Sequence, residues 1–382
     1  MSADNLSLVT NGTMNLTMCD LQPNNPYCGI YGPQRVVEAV YMTLLVVIGT
    51  IGNLMVIFSI MLEKRIHKNG NIFIINLAVA DIFVTGFFLP TVLANVIYTG
   101  NSLNKPACDV AGYVITLTCV CSVSNLTVIA INRYWAVVKN KTYAKMFSKR
   151  RVYIMVLLVW VWSNLLVIPT LFGWSGLTYD EKMMECAWDD MKNRSYNIFL
   201  VVCAILLPVG VIVFCYYNLY KSVRSRGAWA RSATSVGSRS NDRQRRSLQR
   251  ETNLLKTLAM TVVLFVVCWT PYGFVVVFDP FGVAPTTKKI VAWMGLSNSV
   301  VNFIIYGTMN PVFRKGYKHL IIFVLCCKRR QKGRRGTTED SLSLPIRKQN
   351  SLEQSSNKKT NLSQTMTPVC NSRKEIQSFI QT

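Results

Sequence analysis

Residues 108–134 read CDVAGYVITLTCVCSVSNLTVIAINRY. The middle is apolar, a cysteine opens the stretch, and an arginine flanked by Asn132 and Tyr134 closes it. The polar residues inside it are small: Thr116, Thr118, Ser122, Ser124, Asn125 and Thr127. Such side chains suit a helix buried among other helices, where they let backbones approach and bond across the contact. At ~1.5 Å per residue, a helix over 108–133 would be roughly 38 Å long, more than a hydrocarbon core of about 30 Å. Cys108 then lies at one membrane face and Arg133 at the other.

The rest of the chain fits a cage around this rod. Of its 382 residues, 51% are hydrophobic and only 16% are charged. Soluble domains carry about 25% charged residues, so the balance points to a membrane protein. The net charge of +24 does not indicate a nucleic-acid partner. Lys and Arg gather in alternate loops and in the C-terminal tail, as the positive-inside rule requires. Twelve cysteines are scattered without a CxxC pair, and there are two histidines. That spacing argues against a structural zinc site.

Residues 1–35 form a polar tail with glycosylation sequons at Asn5, Asn11 and Asn15. Cys19 and Cys28 in it are free to pair or not. With no basic n-region and no apolar h-region, no cleavable signal peptide is expected. Apolar runs follow at 36–61, 72–98, 108–138, 152–172, 196–220, 252–278 and 289–309. The fold expected is an all-α membrane protein, a bundle of seven transmembrane helices over 36–327. The loops after the first and third runs and the stretch 221–250 are basic, the last being Arg/Ser-rich and expected as a flexible inner loop. A further sequon, Asn193, lies on the tail's side. Charge and sequons agree on an outside N-terminus and an inside C-terminus. After the seventh run, Phe313, Tyr317, Leu320, Ile321 and Val324 alternate with cations, which predicts a short amphipathic eighth helix on the inner surface. Cys326 and Cys327 at its end are placed for palmitoylation. Residues 328–382 are Ser/Thr-rich and expected to be disordered.

Polar groups inside a membrane are costly and need a reason. Asp81 stands deep in the second run. Asn53, Ser122, Asn298, Ser299 and Asn302 are possible neighbours, either as oxygen ligands for a small cation such as sodium or as a hydrogen-bonded network without one. Arg133 and Glu251 lie at the inner ends of the third and sixth runs, as a charge pair or as two solvated charges. Pro90, Pro169, Pro208 and Pro271 should bend their helices or free backbone groups. Trp269 sits two residues before Pro271. HExxH, GxSxG and Walker A patterns are absent, so no enzyme is read here. No half-to-half repeat of a transporter is found.

In chain order stand GNLMV with Asn53, LAVAD with Asp81, Cys108 with Cys186, NRY at 132–134, Trp160, Pro208 with Tyr216, FVVCWTPY at 265–272 and NSVVNFIIY at 298–306. This series resembles the rhodopsin-like (class A) G-protein-coupled receptors. The resemblance implies a plasma-membrane receptor that binds an extracellular ligand and activates a heterotrimeric G protein. It implies a Cys108–Cys186 disulfide, Arg133 as the G-protein contact resting against Glu251, and Phe265 and Trp269 as a packing switch. It makes Tyr216 and Tyr306 inward-moving partners of Arg133 and places the Asp81 cluster at a sodium site. Arg245–Arg246–Ser247 resembles a basophilic-kinase site, and Thr337, Thr338, Ser341 and Ser343 beside Glu339 and Asp340 are expected sites for receptor kinases, with arrestin as the further expected partner.

Two positions depart from that pattern. Asn132 replaces the acidic residue before the arginine, and Phe303 replaces the proline after Asn302. The second should leave the seventh helix straighter. Both departures, with IIYGTMNPVFRKGY at 304–317, are similar to the melatonin-type receptors, a likeness that leans toward inhibitory-class coupling. The pocket differs: the melatonin-holding positions align with Thr170, Trp188, Asp190 and Ala204. Ile115 removes the helix-borne amine anchor, and Leu296 replaces the lysine that covalent retinal needs. The expected pocket is Ile115, Thr116, Cys119, Trp188, Trp269 and Tyr272, apolar and aromatic, suited to a small lipophilic ligand. A basic peptide meeting Glu185, Asp189 and Asp190, or a non-signalling seven-span protein, are the alternatives.

Overall fold

The computed structural model of the chain describes residues 33–62, 69–98, 100–232, 239–278, 284–311 and 313–322. Among these, seven helices are long and apolar enough to cross a membrane. They are α1 Pro33–Leu62, α2 Asn69–Tyr98, α3 Lys105–Val137, α4 Lys149–Thr170 and α5 Arg194–Ser225, then α6 Arg239–Phe278 and α7 Pro285–Met309. The expected eighth helix, α8, covers 313–322. The expected glycosylation sites Asn5, Asn11 and Asn15, the cysteines Cys19, Cys28, Cys326 and Cys327, and the tail 328–382 lie outside the described residues.

α3 is the central rod. It packs against α2, α4, α5 and α6 and against the outer loop. Within its apolar window 67% is buried, against 28% in α4 and in α5, so those two helices carry the outward apolar surface. Leu157, Leu158 and Leu165 on α4 and Val213 and Phe214 on α5 are exposed, as a face against lipid would be. α3 begins at Asn104, whose side chain accepts a bond from the Ala107 amide, with a proline in the first turn. Both features satisfy or remove amides that a helix start leaves unpaired.

The prolines act locally. Pro90 follows a π-helical turn at Phe83–Phe88, where the Leu89 amide reaches Val84. Pro208 follows another at Val202–Leu206, where the Leu207 amide reaches Val202. In each case the ring displaces the preceding carbonyls and one residue is accommodated as a bulge. Pro169 lies in a 3-10 turn at Ile168–Thr170. Pro271 sits inside α6, where its missing N–H frees the Val267 carbonyl. The stretch 221–250 differs from expectation, because helix runs on to Ser232 and resumes at Arg239. Its charged residues extend the two spans instead of forming one long loop.

α7 is helical without a break to Met309. Phe303, in place of proline, lays its ring over Gly52 of α1, where a Cβ would come within 2.1 Å of it. Only glycine leaves room for that ring. α8 turns Phe313 and Gly316 inward and Arg314, Lys315, Lys318 and His319 outward, and the Tyr317 hydroxyl donates to the Phe303 carbonyl at 3.1 Å.

An element not anticipated is a β-hairpin in the outer loop. Strand β1, Leu177–Asp180, pairs antiparallel with β2, Glu185–Trp188, with Asp180 opposite Glu185. Asp180 stabilises the turn by accepting from the amides of Lys182 and Met183. The two largest core clusters are an inner one around Phe73, Leu126, Phe265 and Tyr306 and an outer one around Phe88, Ile115, Met183 and Leu296. Trp269 packs against both.

Candidate functional site

At the outer end, Cys108 of α3 is disulfide-bonded to Cys186 of β2. One turn further in, Gly112 lets the strand lie against the helix, since a Cβ there would be 3.2 Å from the Ala187 backbone. The hairpin is thereby laid over the bundle as a cover. Beneath it is a cavity of about 60 Å³ bordered by Thr116, Cys119, Trp188, Ala204, Phe265, Trp269 and Tyr272. A smaller adjoining space adds Ile115, Glu185 and Leu296. The six expected pocket residues thus border these two spaces. The walls are aromatic and interlocked: Trp188 meets Tyr272 edge-on at 5.9 Å, Tyr272 meets Trp269 at 6.0 Å, and Trp269 meets Phe265 at 6.3 Å. Thr116 directs its hydroxyl to the Gly112 carbonyl, so it offers the cavity little polarity. Of the four aligned positions, Trp188 and Ala204 are walls. Thr170 bonds to the Val167 carbonyl and Asp190 pairs with Lys288.

Lys288, at the start of α7, is 2% exposed and reaches Asp180 at 2.8 Å and Asp190 at 2.9 Å. This clamp fastens the hairpin to α7, and nothing in the sequence pattern marked it. Burial pushes the Asp190 carboxyl above its usual range, against the pull of Lys288. Burial also pushes Glu185 up to about 8, with Asp180 adding to the rise and Lys288 opposing it. Asp189 accepts from the amides of Met191 and Lys192. Of the acids set against a basic peptide, Asp189 is therefore committed within the loop and Asp190 to Lys288 of α7. Asn193 caps α5 through Ser195.

In the middle, Asp81 is fully buried and accepts from the Asn302 amide at 2.9 Å. Ser122 approaches its other oxygen at 3.5 Å, and Ser299 is buried on α7 one turn before Asn302. Asn298 is buried on the same helix. Asn53 is placed otherwise: its amide donates to the carbonyls of Ser299 and Gly49, and its Oδ1 has no partner among the described residues. A second chain runs from the Trp160 indole to Asn76 at 2.9 Å and from Asn76 to Asn125 at 2.8 Å.

At the inner end, Arg133 donates to Asn71 of α2 at 3.0 Å. Tyr143, Tyr216 and Tyr306 are the groups that act on its charge. Asn132 donates to the Tyr143 hydroxyl at 3.3 Å, and Tyr143 stacks on Phe147. Tyr134 packs on Trp135 and Phe214. The Tyr306 ring stacks on Phe313 of α8 at 5.2 Å, and its hydroxyl has no partner among the described residues. The Glu251 side chain lies outside the described residues, so the expected Arg133–Glu251 pair does too. The partner the structure gives Arg133 is neutral, and sequence reading missed it because Asn71 is 62 residues away.

A disulfide-pinned outer cover, an aromatic cavity below it, a buried carboxylate at mid-depth and an arginine at the inner end follow one another along a seven-helix bundle. The chain belongs to the 7 transmembrane receptor (rhodopsin family), whose model matches residues 52–306; it is a class A G-protein-coupled receptor. It is 31% identical over 297 residues to the melatonin receptor type 1C of Xenopus laevis, covering 75% of this chain and 68% of that one. With the melatonin receptor type 1B-B of Danio rerio the identity is 32% over 285 residues, covering 73% and 79%. The crystal structure of squid rhodopsin is similar with a TM-score of 0.69 and 25% identity, over 81% of this chain and 92% of that one.

Proposed function

We propose that the chain is a plasma-membrane receptor with its N-terminus outside, which converts binding of a small lipophilic ligand in the outer cavity into nucleotide exchange on a G protein at the Arg133 end. The observation that carries this is the unbroken aromatic path from Trp188 through Tyr272 and Trp269 to Phe265, which joins the cavity to the inner core. A ligand wedged between these rings repacks Trp269, and α6 moves with it. The cavity is narrow beside the ~300–1,000 Å³ of drug-sized sites, so binding must displace a ring. That displacement is the differential contact a ligand needs to shift a conformational equilibrium.

The relatives are named for melatonin, and a lipophilic ligand is in keeping with that. The wall residues Trp188 and Ala204 and the commitments of Thr170 and Asp190 argue for a ligand other than melatonin. The covered cavity favours a small molecule over a peptide. Asp81, Ser122, Asn298, Ser299 and Asn302 would hold a small cation such as sodium. The orphan Asn53 Oδ1 beside that cluster is spare acceptor capacity in keeping with it. Receptor kinases and arrestin would act on the tail.

The test is Arg133→Ala measured by G-protein activation in cells. Exchange should fall at least tenfold while surface expression and ligand binding persist. Undiminished exchange would overturn the reading.

A further inference from the structure

Glu185 borders the outer cavity beside Ile115, Cys119, Trp188, Trp269 and Tyr272. It is 5% exposed, and its Oε2 has no hydrogen-bond partner among the described residues. A buried carboxylate without a partner is costly, and it ordinarily neutralises or finds a cation. The neighbouring cations have other commitments. Lys288 is paired with Asp180 and Asp190, and Lys289 is paired with Glu38 at 2.9 Å. Three acids of the hairpin region thus share one buried lysine. We infer that Glu185 is the anchor for a cationic group on the ligand, which makes the ligand a lipophilic amine: its ammonium pairs with Glu185 and its apolar body fills the aromatic cavity. This rests on the receptor reading above. The wall rings Trp188, Trp269 and Tyr272 can also receive an ammonium on their faces. Ile115 rules out an anchor on α3, and the loop supplies one to the same cavity.

The proton balance is specific. The groups that act on Glu185 are Asp180 and Asp190 of the outer loop and Lys288 of α7. Cys119 of α3 and Tyr272 of α6 face it across the cavity. With Glu185 held near 8, the empty site carries its proton at neutral pH. An ammonium entering there displaces that proton to solvent and leaves a carboxylate–ammonium pair.

The experiment uses the purified full chain and cells expressing it, with tryptamine and phenethylamine as probes and their N-acetyl derivatives as uncharged controls. Expected are thermal stabilisation and exchange with at least one amine, at concentrations at least tenfold below its N-acetyl form. Glu185→Gln should weaken the amine at least tenfold and leave the N-acetyl form unchanged. Amine affinity on the unsubstituted receptor should rise with pH toward 8, approaching about tenfold per pH unit for one proton released. Should Glu185→Gln not fold, Glu185→Asp should weaken the amine and keep the pH slope. Equal potency of amine and amide, no effect of Glu185→Gln, or no response to either amine overturns the anchor. So does an acid-driven response without amine that Glu185→Gln abolishes. Arg133-dependent basal exchange that persists without any amine response overturns the anchor alone, whereas exchange independent of Arg133 overturns the receptor reading.

Discussion

The two ends of α3 are held by different chemistry. The outer end is fixed by a covalent bond to Cys186 and by a cover clamped through the buried Lys288. Among the described residues the inner end is held by hydrogen bonds and ring contacts without an ion pair: Arg133 to Asn71, Asn132 to Tyr143, and stacked rings. A covalent tie and a buried ion pair cost several kcal/mol to break, whereas a hydrogen bond contributes about 0.5–1.5 kcal/mol between neutral groups and about 1.5–3 kcal/mol where one partner is charged. The difference predicts an outer frame that holds around the rings a ligand displaces, and an inner half that yields first.

The largest effect should come from breaking the outer clamp. Lys288→Met leaves Asp180 and Asp190 facing each other without their cation. It should lower stability by about 3–5 kcal/mol, read as a lower thermal midpoint of the purified receptor, and Asp190→Asn in the same chain should recover part of it. A next effect, of roughly a few kcal/mol, follows from pH. Glu185 carries a folded value near 8, above its ordinary 4.5, so the folded state holds a proton that the unfolded state releases between those values. The contribution of Glu185 to stability should therefore be full below about 4.5 and decline as pH rises toward 8, with Asp190, also raised, acting in the same direction. Glu185→Gln should flatten most of the decline, and a pH profile unchanged by that substitution would contradict a buried, unpaired Glu185.

The inner-end tests are smaller and concern activity. Asn132→Asp places a charge beside Arg133 and should lower basal exchange about tenfold, since a charge-assisted bond contributes about 1.5–3 kcal/mol. Asn71→Ala removes the neutral partner and should raise basal exchange about twofold to tenfold, with little change in thermal midpoint. If Asn71→Ala destabilised the receptor as much as Lys288→Met, the contrast between a fixed and a yielding end would be lost.

The bundle was legible because each span repeats one physical requirement, an apolar run bounded by cations. Asp81 and Asn302 were legible because an intramembrane carboxylate demands a partner. The Lys288 clamp was not, because a lysine at the edge of an apolar run reads as an interfacial cation until the loop folds over it. The hairpin was hidden for a related reason: LTYD and ECAW are four residues each, too short to show a period beside long apolar runs. Asn71 was passed over as a loop residue, since its pairing with Arg133 exists only once α2 and α3 are side by side. The bulges before Pro90 and Pro208 depend on how each helix yields to its proline, and Pro271 lies inside a helix without such a π-turn.

The Phe303 ring seated over Gly52 couples two helices that a proline-bearing seventh helix would leave freer. α7 cannot slide or rotate at its inner end without lifting that ring from its seat or carrying α1 along. In mechanical terms the contact is a detent: α1, the peripheral helix, becomes part of the gear train, and side-chain size at position 52 sets how stiffly it turns.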